Sequence, residues 1–165
     1  MRRLLVLVPA LLGAACGSPT DPGATLLLRT AAAEARWETN RSSSYAIVQH
    51  RSCECLPEMS GPVRLEVRSV SSRPPGPATE TVTMRYVSTG EPVPEIYRAG
   101  FLTVRQLFAL IREARAEGAY RLTAEFDPAL GYPSLVGIDY DRDVADDEVV
   151  YTMSDYEAPI EEPQD

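Results

Sequence analysis

Cys53 and Cys55 flank a single glutamate, Glu54, with His50 just upstream and Met59 just downstream. Two sulfurs at this spacing allow three kinds of chemistry. In an oxidising compartment they close a local disulfide. On a strand, residues i and i+2 share a face about 6.5 Å apart, near the long limit for a bridge, so a small bend closes it. The enclosed loop is tiny and the ring strained, so entropic stabilisation is small and redox exchange stays open as a second use. Third, His50, Cys53, Cys55 and Met59 together offer nitrogen and sulfur donors suited to Cu(I). His50 has the opposite strand parity from both cysteines, which tells against that set and against a Cys–His nucleophile pair.

Carboxylates form the second cluster. Asp139, Asp141 and Asp143 repeat at a spacing of two, and Asp146, Asp147 and Glu148 follow. Calcium takes several carboxylates, so these aspartates are the candidate oxygen ligands. The EF-hand pattern fails, because Val144 stands where the turn glycine belongs and Val150 where the bidentate glutamate belongs. A solvated, loop-borne charge run is the simpler reading. Residues 121–165 hold 13 acidic and 2 basic side chains, whereas residues 16–120 hold 11 and 12. The negative field therefore lies in the last quarter of the chain.

The remaining inventory is mostly exclusion. The 165 residues suit one domain, and the formal net charge of -8 removes the basic face that nucleic acid requires. All 16 basic residues are arginine, so no lysine is present for a Schiff base, a phosphate loop or a Ser–Lys pair. One histidine excludes a multi-histidine metal site. No serine lies in a Gly-x-Ser-x-Gly elbow. The expectation is a non-catalytic protein with no cofactor.

The N-terminus says where it works. Arg2 and Arg3 precede an apolar run from Leu4 to Leu12, then Gly13, Ala14, Ala15 and Cys16. This is the three-part pattern of an export signal, too short to span a membrane. A cysteine directly after small residues resembles the lipobox of bacterial lipoproteins. That resemblance implies cleavage before Cys16 and acylation, typically with palmitate, on its sulfur and new amino group. Two acyl chains give stable anchoring. Gly17 offers no aspartate for inner-membrane retention, so the outer membrane is favoured in an envelope with two. The expected organisation is a signal peptide over 1–15, a lipidated cysteine and flexible tether over 16–23, one domain over 24–153, and an acidic disordered tail over 154–165. Expected partners are the membrane, through the anchor, and an envelope protein or small ligand.

Periodicity supplies the elements that carry these residues. Thr25 to Asn40 reads as a helix with Leu27, Leu28, Ala31, Ala32, Ala35 and Trp37 on its apolar face. Strands are expected over Tyr45 to Cys55, around Val63, Leu65 and Val67, and around Val82, Met84 and Tyr86. Arg73 to Pro77 is a proline-rich loop. Thr103 and Gln106 form a capping-box spacing ahead of Val104, Leu107, Phe108 and Ile111, and Gly118 stops that helix. Tyr120 to Phe126, Leu135 to Tyr140 and Val149 to Met153 are the remaining strands, with Gly131-Tyr132-Pro133 as a turn. Hairpin-length links predict an α+β fold: an antiparallel sheet of five to six strands with two helices on one face.

Taken in order, Trp37, Tyr45, Cys53-Glu54-Cys55, Thr103-Val104-Arg105-Gln106-Leu107-Phe108, Phe126-Asp127-Pro128, Gly131-Tyr132-Pro133, Ile138-Asp139 and Asp146-Asp147-Glu148 resemble a family of small exported bacterial proteins catalogued as domain of unknown function 6174. The likeness runs from about Thr30 to Met153. It implies an envelope protein and supplies no catalytic residues.

Overall fold

The computed structural model describes residues 22–70, 79–144 and 146–159. Cys16, the segment before Pro22 and the proline-rich stretch 73–77 lie outside them. The elements are α1 (Pro22–Asn40), β1 (Ser44–Cys53), a 3-10 turn (Pro57–Met59), β2 (Val63–Val70), β3 (Thr79–Tyr86), a one-turn α2 (Glu95–Arg98), α3 (Val104–Glu117), β4 (Arg121–Phe126), β5 (Pro133–Asp139) and β6 (Val149–Glu157). The six strands form one antiparallel sheet in the order β3-β2-β1-β6-β5-β4. Two three-stranded meanders thus meet where β1 pairs with β6. The fold is α+β, as the periodicity predicts.

Helix α3 is built as its sequence dictates. Thr103 N donates to Gln106 Oε1 at 2.8 Å, and the Thr103 hydroxyl accepts from Gln106 N at 3.4 Å. At the other end Gly118 takes the left-handed conformation, φ 79°, that only glycine adopts freely. Val104, Leu107, Phe108, Ile111 and Ala114 are buried from this helix. They share one core with Leu65 and Val67 of β2, and Leu122 and Phe126 pack at its margin. The Phe108 and Phe126 rings stack 6.0 Å apart.

Helix α1 differs from its expected form in two ways. It begins at Pro22, inside the expected tether, because proline is tolerated in a first turn where its missing N–H has no partner to lose. Its buried stripe is also rotated. Thr30, Ala33 and Trp37 are buried, with Leu26 partly so, whereas Leu27 and Leu28 are 37% and 67% exposed and Ala31, Ala32 and Ala35 face solvent. Alanine is a strong helix former wherever it points, so alanine positions carry little directional information. The polar member of the stripe, Thr30, satisfies its hydroxyl on Leu26 O at 2.9 Å. Glu38 bridges to Arg105 at 2.8 Å and Glu34 to Arg112 at 2.6 Å, pinning α1 to α3. The Arg105 hydrogen bond, more than any other contact, holds the Glu38 carboxyl below its ordinary range.

The tail expected from Ser154 is likewise corrected, since β6 runs on to Glu157. Its register slips between Ala46 and Val48 of β1, and Asp155 stands at φ 52°. That bulge adds one residue and reverses the alternation. Tyr156 therefore joins the inner face in place of Asp155, and Glu157 reaches Arg64 at 2.7 Å on β2. Tyr156 closes an aromatic group in which the Trp37 ring lies 5.1 Å from Tyr45, 6.2 Å from Tyr132 and 5.8 Å from Tyr156. Tyr45 is fully buried and its hydroxyl has no hydrogen-bond partner among the described residues. Burial, then the charge of Glu80, pushes its ionisation far above the usual tyrosine range. A folded-state pKa raised in this way stabilises the protein fully below the unfolded tyrosine value of about 10, and the contribution is lost as pH rises above it. Tyr45→Phe removes an unpaired buried polar group, so its stability at neutral pH should be unchanged or raised by about 1 kcal/mol. Its alkaline denaturation should begin later than wild type, which pH-dependent melting will show.

Candidate functional site

Strand β1 ends at Cys53, and the chain bends at once. Cys55 N donates to Cys53 O at 2.9 Å, which draws the two Cα atoms to 5.2 Å and lets the disulfide Cys53–Cys55 close. The small bend anticipated for a Cys-x-Cys bridge is this tight turn. Residues 56–60 then fold back, with Arg51 N donating to Ser60 O at 2.7 Å, and the Cys55 sulfur sits 3.7 Å from the Ser60 hydroxyl. The bridge is half-buried and borders a cleft of about 230 Å³ lined by Ser52, Glu54, Asp146, Glu148 and Val150. Among the described residues that line this cleft three are carboxylates and none is a cation.

The other candidate ligands do not converge. His50 is exposed on the opposite strand parity, opposite Thr152 of β6, and Met59 lies on the 3-10 turn. With both sulfurs bonded to each other, neither is a thiolate for a soft metal. Asp139 is buried at the end of β5, in register with Arg121, while Asp141 and Asp143 are exposed beyond it. Their loop spends carboxylates on its own backbone. Asp147 Oδ2 accepts from Asp141 N at 2.7 Å and Asp141 Oδ1 from Asp143 N at 3.0 Å. Among the described residues no three histidine, cysteine or acidic side chains are placed to hold a metal ion. Neither candidate metal set therefore converges among the described residues: His50, Asp141 and Asp143 sit exposed, Asp139 is buried at the end of β5, Met59 lies on the 3-10 turn, and the two cysteines form the bridge.

The acidic rim has a kinetic consequence for the bridge. Disulfide exchange begins with a thiolate approaching sulfur, and like charge lowers the encounter rate of an anionic reductant. A thiol carrying an extra carboxylate should reduce Cys53–Cys55 more slowly than a neutral thiol of equal pKa, by roughly tenfold at low salt. The gap should narrow as ionic strength rises. Reduction rates followed by thiol release, in wild type and in Asp146→Asn with Glu148→Gln, will measure it; equal rates for the two reductants at low salt contradict it.

One residue escaped the sequence reading. Gln49 is fully buried on the inner face of β1. Its Nε2 donates to Leu102 O at 2.8 Å and its Oε1 accepts from Leu102 N at 2.9 Å. This two-point clasp holds the segment leading into α3. Gln49 shares its strand parity with Tyr45 and Ile47, so alternation places it inward, and only the partner backbone at Leu102 shows what satisfies its amide.

A family model described as a family of unknown function, DUF6174, matches residues 29–158. The chain belongs to DUF6174. No curated protein and no solved structure gives a significant match. The DUF6174 match opens within α1 and closes just past β6, so the matched span of this chain covers the bulge and Tyr156. It also includes the bridge, the acidic loop and the Gln49 clasp.

Proposed function

We propose that this DUF6174 protein is a lipid-anchored, non-catalytic binding module of the bacterial envelope. The observation that carries this reading is the N-terminal series: two arginines, an apolar run, then Ala14-Ala15-Cys16. The Cys53–Cys55 bridge supports it, since disulfides persist in compartments outside the cytosol. Gly17 after the cysteine favours the outer membrane where there are two. Among the described residues no helix is long and apolar enough to cross a membrane, so the acyl chains on Cys16 are the attachment in this reading. A redox accessory role rests on the half-buried bridge at the edge of its cleft, and the carboxylates around it weigh against anionic thiol partners.

Cys16→Ser tests the anchor. The substitution should abolish labelling by a fatty-acid analogue and move the protein from the membrane to the soluble fraction. Unchanged membrane retention and unchanged mass would overturn the reading.

A further inference from the structure

On the face of the sheet opposite the core, a pocket of about 150 Å³ spans β4, β5 and the start of β6, lined by Arg121, Thr123, Gly137, Asp139, Glu148 and Val150 among others. Val136 and Ile138 of β5 enter the core, so alternation turns Gly137 and Asp139 to this outer face. Glycine makes the floor: a Cβ at Gly137 would stand 2.8 Å from Thr123 Oγ1 and 3.8 Å from the Val150 side chain. The volume is that of roughly five water molecules, room for the end of a chain and not for a whole drug-sized ligand.

Asp139 is the side chain here that the fold does not use. It is only 8% exposed, and among the described residues its carboxylate makes no hydrogen bond and no ion pair. Its oxygens stay open to solvent on the side of this pocket. Arg121 stands directly across the ladder, where an ion pair is the ordinary outcome. Its guanidinium lies instead over the Tyr120 ring, 5.9 Å from the centroid, a place it shares with Arg142. A carboxylate this buried is normally paired. No side chain of the described residues pairs this one, and the pocket is its open side.

We infer that this pocket binds a primary alkylammonium group, the end of a free aliphatic amine or of another protein's lysine side chain. An ammonium carries three N–H donors and no acceptor. The wall answers with acceptors: the Asp139 and Glu148 carboxylates, and the Thr123 oxygen, whose own proton goes to Gly137 O at 3.4 Å. Burial of Asp139 strengthens a charge-assisted bond made to it. A guanidinium spreads five donors over a plane, more than these three acceptors satisfy. A metal ion fits less well, since among the described residues no three acidic, histidine or cysteine side chains gather to hold one. The 16 basic residues of the chain are all arginine, so they supply no ammonium of their own. The cleft beside the disulfide adjoins through Glu148 and Val150 and adds Glu54 and Asp146, so the field along the approach attracts a cation.

This inference deepens the reading of the domain as a binding module. The Cys16 experiment reads fatty-acid labelling and membrane retention, whereas this one reads affinity for a soluble amine, so either fails without the other. The probe is n-butylamine at neutral pH, titrated into the full chain by calorimetry and by the amide NMR shifts of Gly137 and Asp139. The comparisons are n-butanol, of similar size without the charge, and butyltrimethylammonium, which carries the charge without N–H donors. Butylamine should bind saturably, move both amides, and bind at least about tenfold tighter than either comparison. Asp139→Asn should weaken it at least about tenfold. Gly137→Ala, which raises the floor and leaves every charge in place, should weaken it at least about fivefold. Should Asp139→Asn unfold, Gly137→Ala decides. Nα-acetyl-lysine methylamide separates the two sources: affinity equal to that of butylamine assigns the pocket to a lysine side chain, and much weaker affinity assigns it to a free amine. Titration without a saturable shift overturns the inference. So does equal binding of butyltrimethylammonium, or affinity indifferent to Asp139→Asn, since either reduces the effect to diffuse attraction by negative charge. Saturable Ca²⁺ binding that displaces butylamine and is lost in Asp139→Asn overturns it in favour of a metal site.

Discussion

Phe108→Ala is expected to destabilise the domain by about 3–5 kcal/mol, the range for emptying a buried aromatic site. Phe108 is fully buried at the centre of the α3 face and stacks on Phe126 of β4. The flanking core positions Leu107, Ile111 and Val136 come from a capped helix and from a strand held on both sides, so the void has little room to collapse. Equilibrium denaturation with coincident fluorescence and circular dichroism transitions will measure the loss. A change below about 0.5 kcal/mol, the scale of surface substitutions, would mean that α3 does not bury this face.

Gln49→Leu should cost about 2–4 kcal/mol although it nearly conserves volume and raises hydrophobicity. The reason is what it abandons. Leu102 N–H and C=O both lose their partner, and an unpaired buried backbone group costs roughly 1–3 kcal/mol. The damage should be local as well as global. Proteolysis under native conditions should cut the segment between β3 and α3 faster in Gln49→Leu than in wild type, because the clasp is what ties that segment to β1. A variant as stable and as resistant as wild type would show that Leu102 finds other partners.

How far the sequence was legible depended on whether each signal was local. The capping box of α3 involves residues three apart and a glycine at the stop, and it was read directly. The Cys53–Cys55 bridge was legible for the same reason. Strand existence followed from alternation in β2 and β4. The errors all came from information held elsewhere in the fold. The orientation of α1 is set by Trp37 and its three tyrosine neighbours, not by the alanines that surround it in sequence. The last strand seemed to stop at Met153 because its alternation breaks there. The break is a bulge within a continuing strand, and Asp155 in a left-handed conformation is its only local mark. Carboxylates at a spacing of two suggested ligands, yet their partners are backbone amides of their own loop. The strand order was not legible either, since which strand ends the sheet depends on the β1–β6 pairing across most of the chain.

Gly131 stands at φ 91° in the turn between β4 and β5, and a side chain there would run into the carbonyl of Ala33 and crowd the backbone of Trp37. Seen mechanically, this seat is a bearing between helix α1 and the sheet. A pull arriving at Pro22 travels along α1 and is handed to the sheet at two places. One is the hairpin turn resting directly on the helix backbone, and the other is the Trp37 ring wedged among tyrosines from β1, the same turn and β6. Force is thereby delivered to the middle of the sheet and to its β4 margin together, loading the strands as a plate and not peeling one from the edge. If the anchor proposed on Cys16 holds, a pull from the membrane enters the domain through α1 and its seat on Gly131 and not through a terminal strand.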